Sequence, residues 1–155
     1  MFRFNKDMEY ALISLVELTR RDPGELVSAR ELSERYSIPF KLLARILRSL
    51  GADGVVESVK GPKGGYRLVS DPREIHLGRI IRAVRGDEPI ADCLDADGNC
   101  AQDDCGCTIK PIIRVFQDKW VAFVENTTLD EFARSELAGE PGAAERKEAW
   151  PAIRM

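Results

Sequence analysis

The sequence predicts a mainly α-helical chain with one small β-hairpin, and three observations predict it. Apolar residues recur at helical spacing in four separate stretches. A β-branched run at 55–59 and a returning run at 66–69 flank a glycine-rich turn at residues 61–65, the pattern of a hairpin. Between the third and fourth helical stretches lies DCLDADGNCAQDDCGC, an Asp- and Gly-rich segment that reads as a loop. It holds all four cysteines, Cys93, Cys100, Cys105 and Cys107, within fifteen residues, and the other 140 positions hold none.

Taken in order, residues 7–19 read as a helix with Tyr10, Leu12, Ile13 and Val16 on its apolar face. Asp22-Pro23-Gly24 breaks it. Ser28-Ala29-Arg30-Glu31 has the form of a capping box, in which Ser28 caps the start and Glu31 reaches back. That helix ends near Tyr36, and Pro39 suits the first turn of the next. Residues 39–51 place Leu42, Leu43, Ile46, Leu47 and Leu50 on one side, with Lys41, Arg45 and Arg48 on another.

Two short helices joined by a tight link, the second basic on its free side, form a helix-turn-helix candidate. The neighbouring hairpin strengthens it. Val55–Val59 and Tyr66–Val69 read as strands around Gly61-Pro62-Lys63-Gly64-Gly65, which makes the hairpin a basic-tipped wing. The tip is no nucleotide-binding loop, because it lacks the GxxxxGK[ST] order and joins two strands. The expected partner is double-stranded DNA. The candidate contacts are Ser28, Pro39, Phe40, Lys41, Arg45 and Arg48 on the helix pair, with Lys60, Lys63, Gly64 and Arg67 on the wing.

Residues 77–85 form another amphipathic helix through Leu77, Ile80, Ile81 and Val84. After the cysteine loop, Ile109, Ile112, Ile113, Phe116, Trp120, Phe123 and Val124 trace a helical stripe from Thr108 to Asn126. Such a helix would span ~28 Å, with too much apolar face to leave in water, so that it packs either within its own chain or against a second copy. Of the two, a homodimer interface is expected, since a winged helix reading a two-fold site needs a two-fold partner. The expected organisation is a DNA-binding domain at 1–86, a cluster-binding loop at 87–107, dimerisation and following helices at 108–138, and a mobile tail at 139–155.

Bulk properties agree. A chain of 155 residues, 44% apolar and 32% charged, builds one real core or a small domain plus an accessory element. No run approaches ~18 apolar residues, so no membrane span is expected. The start, MFRFNKDMEYAL, has no signal-peptide pattern, which points to the cytoplasm. In that reducing compartment clustered cysteines are metal-binding or redox-active more often than disulfide-bonded. The net charge of −3 hides an asymmetry. Residues 1–85 carry 16 Lys and Arg against 11 Asp and Glu, a net of +5; residues 86–155 carry 7 against 15, a net of −8. The basic half suits a polyanion.

At GPKGGYRL, following LLARILRSLGADGVVESVK, the sequence resembles the IscR/NsrR/RirA family of bacterial winged-helix regulators. The resemblance covers about residues 1–134, from EYAL near the start to TLDEF. It implies a homodimeric transcription regulator in which three cysteines ligate an iron–sulfur cluster, 2Fe–2S or 4Fe–4S, whose loss or change alters DNA binding. It identifies no physiological signal: nitric oxide, iron, oxygen and cluster supply all stay open.

The cysteines depart from the family's usual spacing of five residues between neighbours. Cys93, Cys100 and Cys107 are separated by six and six, and Cys105 is extra. Three positions beyond Cys107, where IscR itself has a histidine, stands Lys110, which has no lone pair when protonated. His76, the chain's one histidine, reads as a surface or cap residue. The fourth ligand is open between Glu9, where NsrR-like members place an acidic ligand in the first helix, and Cys105. Where IscR has an operator-discriminating glutamate this chain has Ala44, beside Arg45.

Zinc held by four thiolates is the chemical alternative to the cluster. A cluster-free thiol switch through Cys105 and Cys107 is the functional alternative. An enzyme is not expected, nor a small-molecule substrate, because no second catalytic constellation and no nucleotide fingerprint appear.

Overall fold

The computed structural model of the chain describes residues 5–87, 89–94 and 107–137. The first helix, α1 (Lys6–Thr19), starts because the Asn5 side chain accepts a hydrogen bond from the Met8 backbone N–H at 2.9 Å. It buries Met8, Ala11, Leu12, Leu15, Val16 and Leu18, whereas Tyr10 and Ile13 are only partly covered. In α2 (Ala29–Arg35) Ser28 accepts from the Glu31 N–H at 3.0 Å, as the capping pattern requires. The Glu31 carboxylate does not reach back; it accepts from Arg21 at 2.7 Å.

The link between α2 and α3 (Phe40–Ala52) is tight. Ser37 sits in the left-handed region at φ 52°, which reverses the chain within one residue. Ser33 holds the reversal by donating its hydroxyl to the Ile38 carbonyl at 2.7 Å, and Ile38 is buried. Pro39 caps α3 from just outside, its carbonyl accepting from the Leu42 and Leu43 N–H groups, each at 3.0 Å.

The hairpin consists of β1 (Val56–Val59) and β2 (Gly65–Leu68), antiparallel, with Glu57 opposite Arg67 and Ser58 opposite Tyr66. Val55 and Val69 fall outside the strands, so each strand is one residue off the expected range. A contact that local periodicity does not announce anchors the hairpin. Val27 bridges to Tyr66 through two backbone hydrogen bonds of 3.0 and 2.8 Å.

A 3-10 turn at Pro72–Glu74 leads into α4 (Leu77–Arg85), which has the range expected. Then come a 3-10 turn at Asp92–Leu94, α5 (Lys110–Asn126) and α6 (Leu129–Leu137). Pro111 in its first turn lets α5 begin two residues later than expected, since proline suits that position. Leu129 N–H donates to Ile75 O at 2.7 Å and Leu77 N–H to Thr127 O at 2.9 Å, so the start of α6 is clasped beside the start of α4. Thr128 and Glu131 form a reciprocal capping box there, at 2.9 and 3.2 Å.

One core unites α1 to α4 with the ends of α5 and α6. Leu15, Leu32, Leu43, Leu47, Leu50, Ile80 and Leu129 are fully buried within it. Burying each such side chain stabilises the fold by ~1.5–3 kcal/mol before entropy is counted. No described helix is long and apolar enough to cross a membrane.

Candidate nucleic-acid interface and cysteine segment

With Leu43, Ile46, Leu47 and Leu50 turned inward, α3 presents Lys41, Arg45 and Arg48 on its opposite side, all exposed. Phe40 and Pro39 are exposed at its start. Lys60 and Lys63 lie exposed at the hairpin tip. An open groove of about 850 Å³, lined by Arg48, Gly51, Ser58 and Tyr66 among others, separates α3 from the hairpin. The helix side of the groove carries Arg48 and the hairpin side Glu57, Ser58 and Tyr66, with Lys60 and Lys63 outside its lining at the tip.

The cations fall into two sets. Among the described residues, Lys41, Arg48, Lys60 and Lys63 have no ion-pair partner. Arg45 and Arg67 do. Arg45 donates Nη2 to Asp7 Oδ2 at 2.6 Å, and Arg67 donates Nε and Nη2 to Glu57 Oε2 at 2.9 and 2.8 Å. The Arg67 pair follows from hairpin register, so a register argument finds Glu57. No local signal finds Asp7, which lies 38 residues from Arg45. Ser28 is occupied as a helix cap and Gly64 is half-buried at the tip.

Two glycines make the tip possible. A Cβ on Gly64 would be driven into the Val59 carbonyl oxygen, and a Cβ on Gly65 would lie 2.7 Å from the Val27 carbonyl oxygen. Gly61 adds a φ of +122°, where side chains are strained.

Behind the helix pair lies a buried ionic network. Glu17 is 2% exposed. Its Oε1 accepts from Arg21 Nη2 at 3.0 Å and lies 2.9 Å from Arg35 Nη1, while Oε2 accepts from the Tyr36 hydroxyl at 2.6 Å. Burial alone would raise the Glu17 pKa. The Tyr36 hydrogen bond and the charges of Arg35 and Arg21 outweigh it and hold the carboxyl below its ordinary range. Burial and the same carboxylate push the Tyr36 hydroxyl up. The network ties the end of α1 to α2, fixing the frame on which α3 is carried.

Of the cysteines, Cys93 sits in the Asp92–Leu94 turn and Cys107 shortly precedes α5; both are free thiols and half-buried. Cys100 and Cys105 lie outside the described residues, as do most of the expected loop and the 139–155 tail. No metal-binding group of three or more side chains occurs among the described residues. The donor chemistry fits a soft metal or cluster, because both described thiols are unbonded and accessible to one. Ile90 N–H donates to the Gln117 side chain at 2.8 Å, tying this segment to α5. Glu9 is half-buried and its carboxylate pairs with Lys6 at 2.5 Å. His76 occupies the N-cap position of α4 without capping it through its side chain; its Nδ1 is buried with no partner among the described residues.

The structure divides the apolar stripe of α5. Val124 is buried and Trp120 packs partly against the core, stacked on Phe123 at 5.9 Å. Val124 therefore packs into the core of its own chain, contrary to its expected place in a dimer face. Ile109, Ile112, Phe116 and Phe123 remain more than half exposed, Ile113 partly so. Val115 and Val121, which the expected stripe omitted, are exposed as well. Val115 stands three residues after Ile112, a helical spacing that could have revealed it.

Comparison with known proteins agrees with this architecture. A family described as "Rrf2: Iron-dependent Transcriptional regulator" matches residues 4–135. The chain is 31% identical over 127 residues to an HTH-type transcriptional regulator NsrR of Bacillus subtilis, covering 82% of this chain and 87% of the relative. It is 30% identical over 135 residues to the HTH-type transcriptional regulator IscR of Escherichia coli O1:K1, covering 86% and 82%. Among solved structures, T. potens IscR superposes with a TM-score of 0.69 at 21% identity, covering 90% of this chain and 92% of that one.

Proposed function

Because this chain belongs to the Rrf2 family of transcriptional regulators, whose named members are regulators rather than enzymes, we propose a specific working form for it. It is a homodimer that reads a two-fold site on double-stranded DNA with α3 and the hairpin. It senses redox state, iron or nitric oxide through an iron–sulfur cluster in the cysteine segment. The observation that carries this reading is the position of Cys107: a free, half-buried thiol just before the helix whose apolar face is left uncovered.

Cys93, Cys100 and Cys107 would hold the cluster, with Glu9 of the partner subunit or Cys105 as the fourth ligand. A bound cluster supplies a group whose charge and occupancy respond to oxidation, nitric oxide and iron supply. The chain's own part is to hold the cysteine segment against α5 through Ile90 and Gln117, and to hold α3 on the α1–α2 frame through Glu17. Releasing Glu9 from Lys6 costs little, since exposed ion pairs contribute ~0–1 kcal/mol.

Anaerobic purification tests the reading. Brown protein with visible charge-transfer bands supports it. Colourless protein with bound zinc favours a tetrathiolate site, and colourless metal-free protein favours a thiol switch. Cys93→Ala, Cys100→Ala and Cys107→Ala should each abolish the bands and Cys105→Ala should weaken them less. Normal bands in Cys107→Ala with loss in Cys105→Ala would reverse the ligand assignment. Glu9→Ala should shift the absorption and shorten the cluster's lifetime.

A further inference from the structure

We propose that Asp7 is a positioning residue for base recognition: from the first turn of α1 it holds the Arg45 guanidinium in place to meet a guanine edge. The inference rests on the reading of α3 as the element that enters the major groove.

Arg45 is 61% exposed on the outward face of α3, yet its Nη2 is fixed 2.6 Å from Asp7 Oδ2. Stability does not explain the pair, because exposed ion pairs contribute little to it. Its effect is to restrict an otherwise mobile side chain. A free arginine explores many rotamers, whereas a carboxylate on one nitrogen narrows the positions the fork can take. The pair engages one nitrogen and leaves the other donors of the guanidinium available. Guanine O6 and N7 accept two parallel N–H bonds from such a fork.

Asp7 is built to do this. It is 27% exposed on a helix whose next residues, Met8, Ala11 and Leu12, are locked in the core. Asn5 caps that helix, and an acid in the first turn is favoured by the helix dipole. The carboxylate therefore sits on a rigid element, as a positioning group must. Lys41 and Arg48 on the same face have no such partner among the described residues, which suits the sequence-independent contacts of phosphate.

The test uses full-length protein and the duplex it selects from a randomised pool. Dissociation constants for the selected and a scrambled duplex are measured for wild type, Asp7→Asn, Arg45→Ala and the double variant, with thermal melting to confirm the fold. Asp7→Asn should lower the selected-to-scrambled preference about three- to tenfold, a coupling ordinary for directly contacting residues. The loss should fall on the same base pair that Arg45→Ala relaxes, and the double variant should lose no more than Arg45→Ala alone. An unchanged preference in Asp7→Asn, with Arg45→Ala impaired, overturns this inference and leaves the α3 reading intact. A raised preference also overturns it, and makes Asp7 a group that withholds Arg45 from DNA. An unchanged preference in Arg45→Ala overturns the α3 reading itself, and this inference with it.

Discussion

Helices α3 and α5 carry apolar stripes of the same period and meet opposite fates. On α3, Leu43, Ile46, Leu47 and Leu50 are at most 2% exposed. On α5 and the residue just before it, Ile109, Ile112, Val115, Phe116 and Phe123 are between 52% and 64% exposed. The two helices differ in what surrounds them. α3 is enclosed by α1, α2, α4 and β1, while α5 packs mainly on α4 and the Asp92–Leu94 turn among the described residues. Periodicity identifies a face that must be covered; it does not say by what. An uncovered contiguous apolar face on a small domain marks an interface, and a second copy of the chain is the proposed occupant.

The strongest way to break the comparison is to charge the open face. Phe116→Asp should raise the dimer dissociation constant by at least ~100-fold, because each copy loses ~1.5–3 kcal/mol of burial and the effect is doubled by symmetry. Its thermal melt as a monomer should be unchanged. A dimer that persists in sedimentation would show that the face is not the interface, and an unfolded protein would show that it packs within its own chain.

The matching change on the closed face acts on the other quantity. Leu47→Ala should cost about 2–5 kcal/mol of folding stability in denaturant titration, the ordinary cost of emptying a packed site, without altering the association of the molecules that remain folded. A loss under about 1 kcal/mol would mean that the α3 face is poorly packed.

A third change separates buried charge from buried apolar surface. Glu17→Gln should cost about 1–3 kcal/mol at neutral pH, since Gln accepts weakly from the arginines. The native Glu17 pKa lies below its ordinary value, so its stabilisation is complete above pH 4.5 and is lost as pH falls through the native pKa. The difference between wild type and variant should therefore shrink on acidification. A pH-independent difference would refute the preferred ionisation of Glu17.

The smallest effect is expected where neither apolar face is touched. Lys63→Ala should leave folding and association at wild-type values. It should weaken selected and scrambled DNA alike, reducing the salt slope by about one for each phosphate no longer neutralised in each subunit. A change in sequence preference would place Lys63 among the reading residues instead.

Legibility in the sequence divides along physical lines. α4 is readable to its end residues and α1 to within one, because helices that bury one face against a core carry the period in full. Ser28 is readable as a cap, since capping is local. Partners distant in sequence are not legible: Val27 on Tyr66, Asp7 on Arg45 and Glu17 on Tyr36 have no nearby signature. Periodicity assigns Val124 to the wrong surface, because the stripe rotates around α5 and its last member meets the core. Cys93 and Cys107 lie at the two ends of the cysteine segment as half-buried free thiols, while Cys100 and Cys105 fall outside the described residues.

The paired glycines at the base of the hairpin tip bear on how the grip of such a protein on DNA can be re-engineered. A side chain at Gly65 would collide with the residue that anchors the hairpin, and one at Gly64 with the hairpin's own backbone. Neither position can be varied to tune that grip, because a substitution there disturbs the fold before its effect on DNA is felt. Lys60, Pro62 and Lys63 are exposed and face no such obstacle. A library meant to tune the hairpin's hold on DNA should be randomised there and kept Gly-Gly at 64–65, so that its members differ in how tightly they grip the backbone and not in whether they fold.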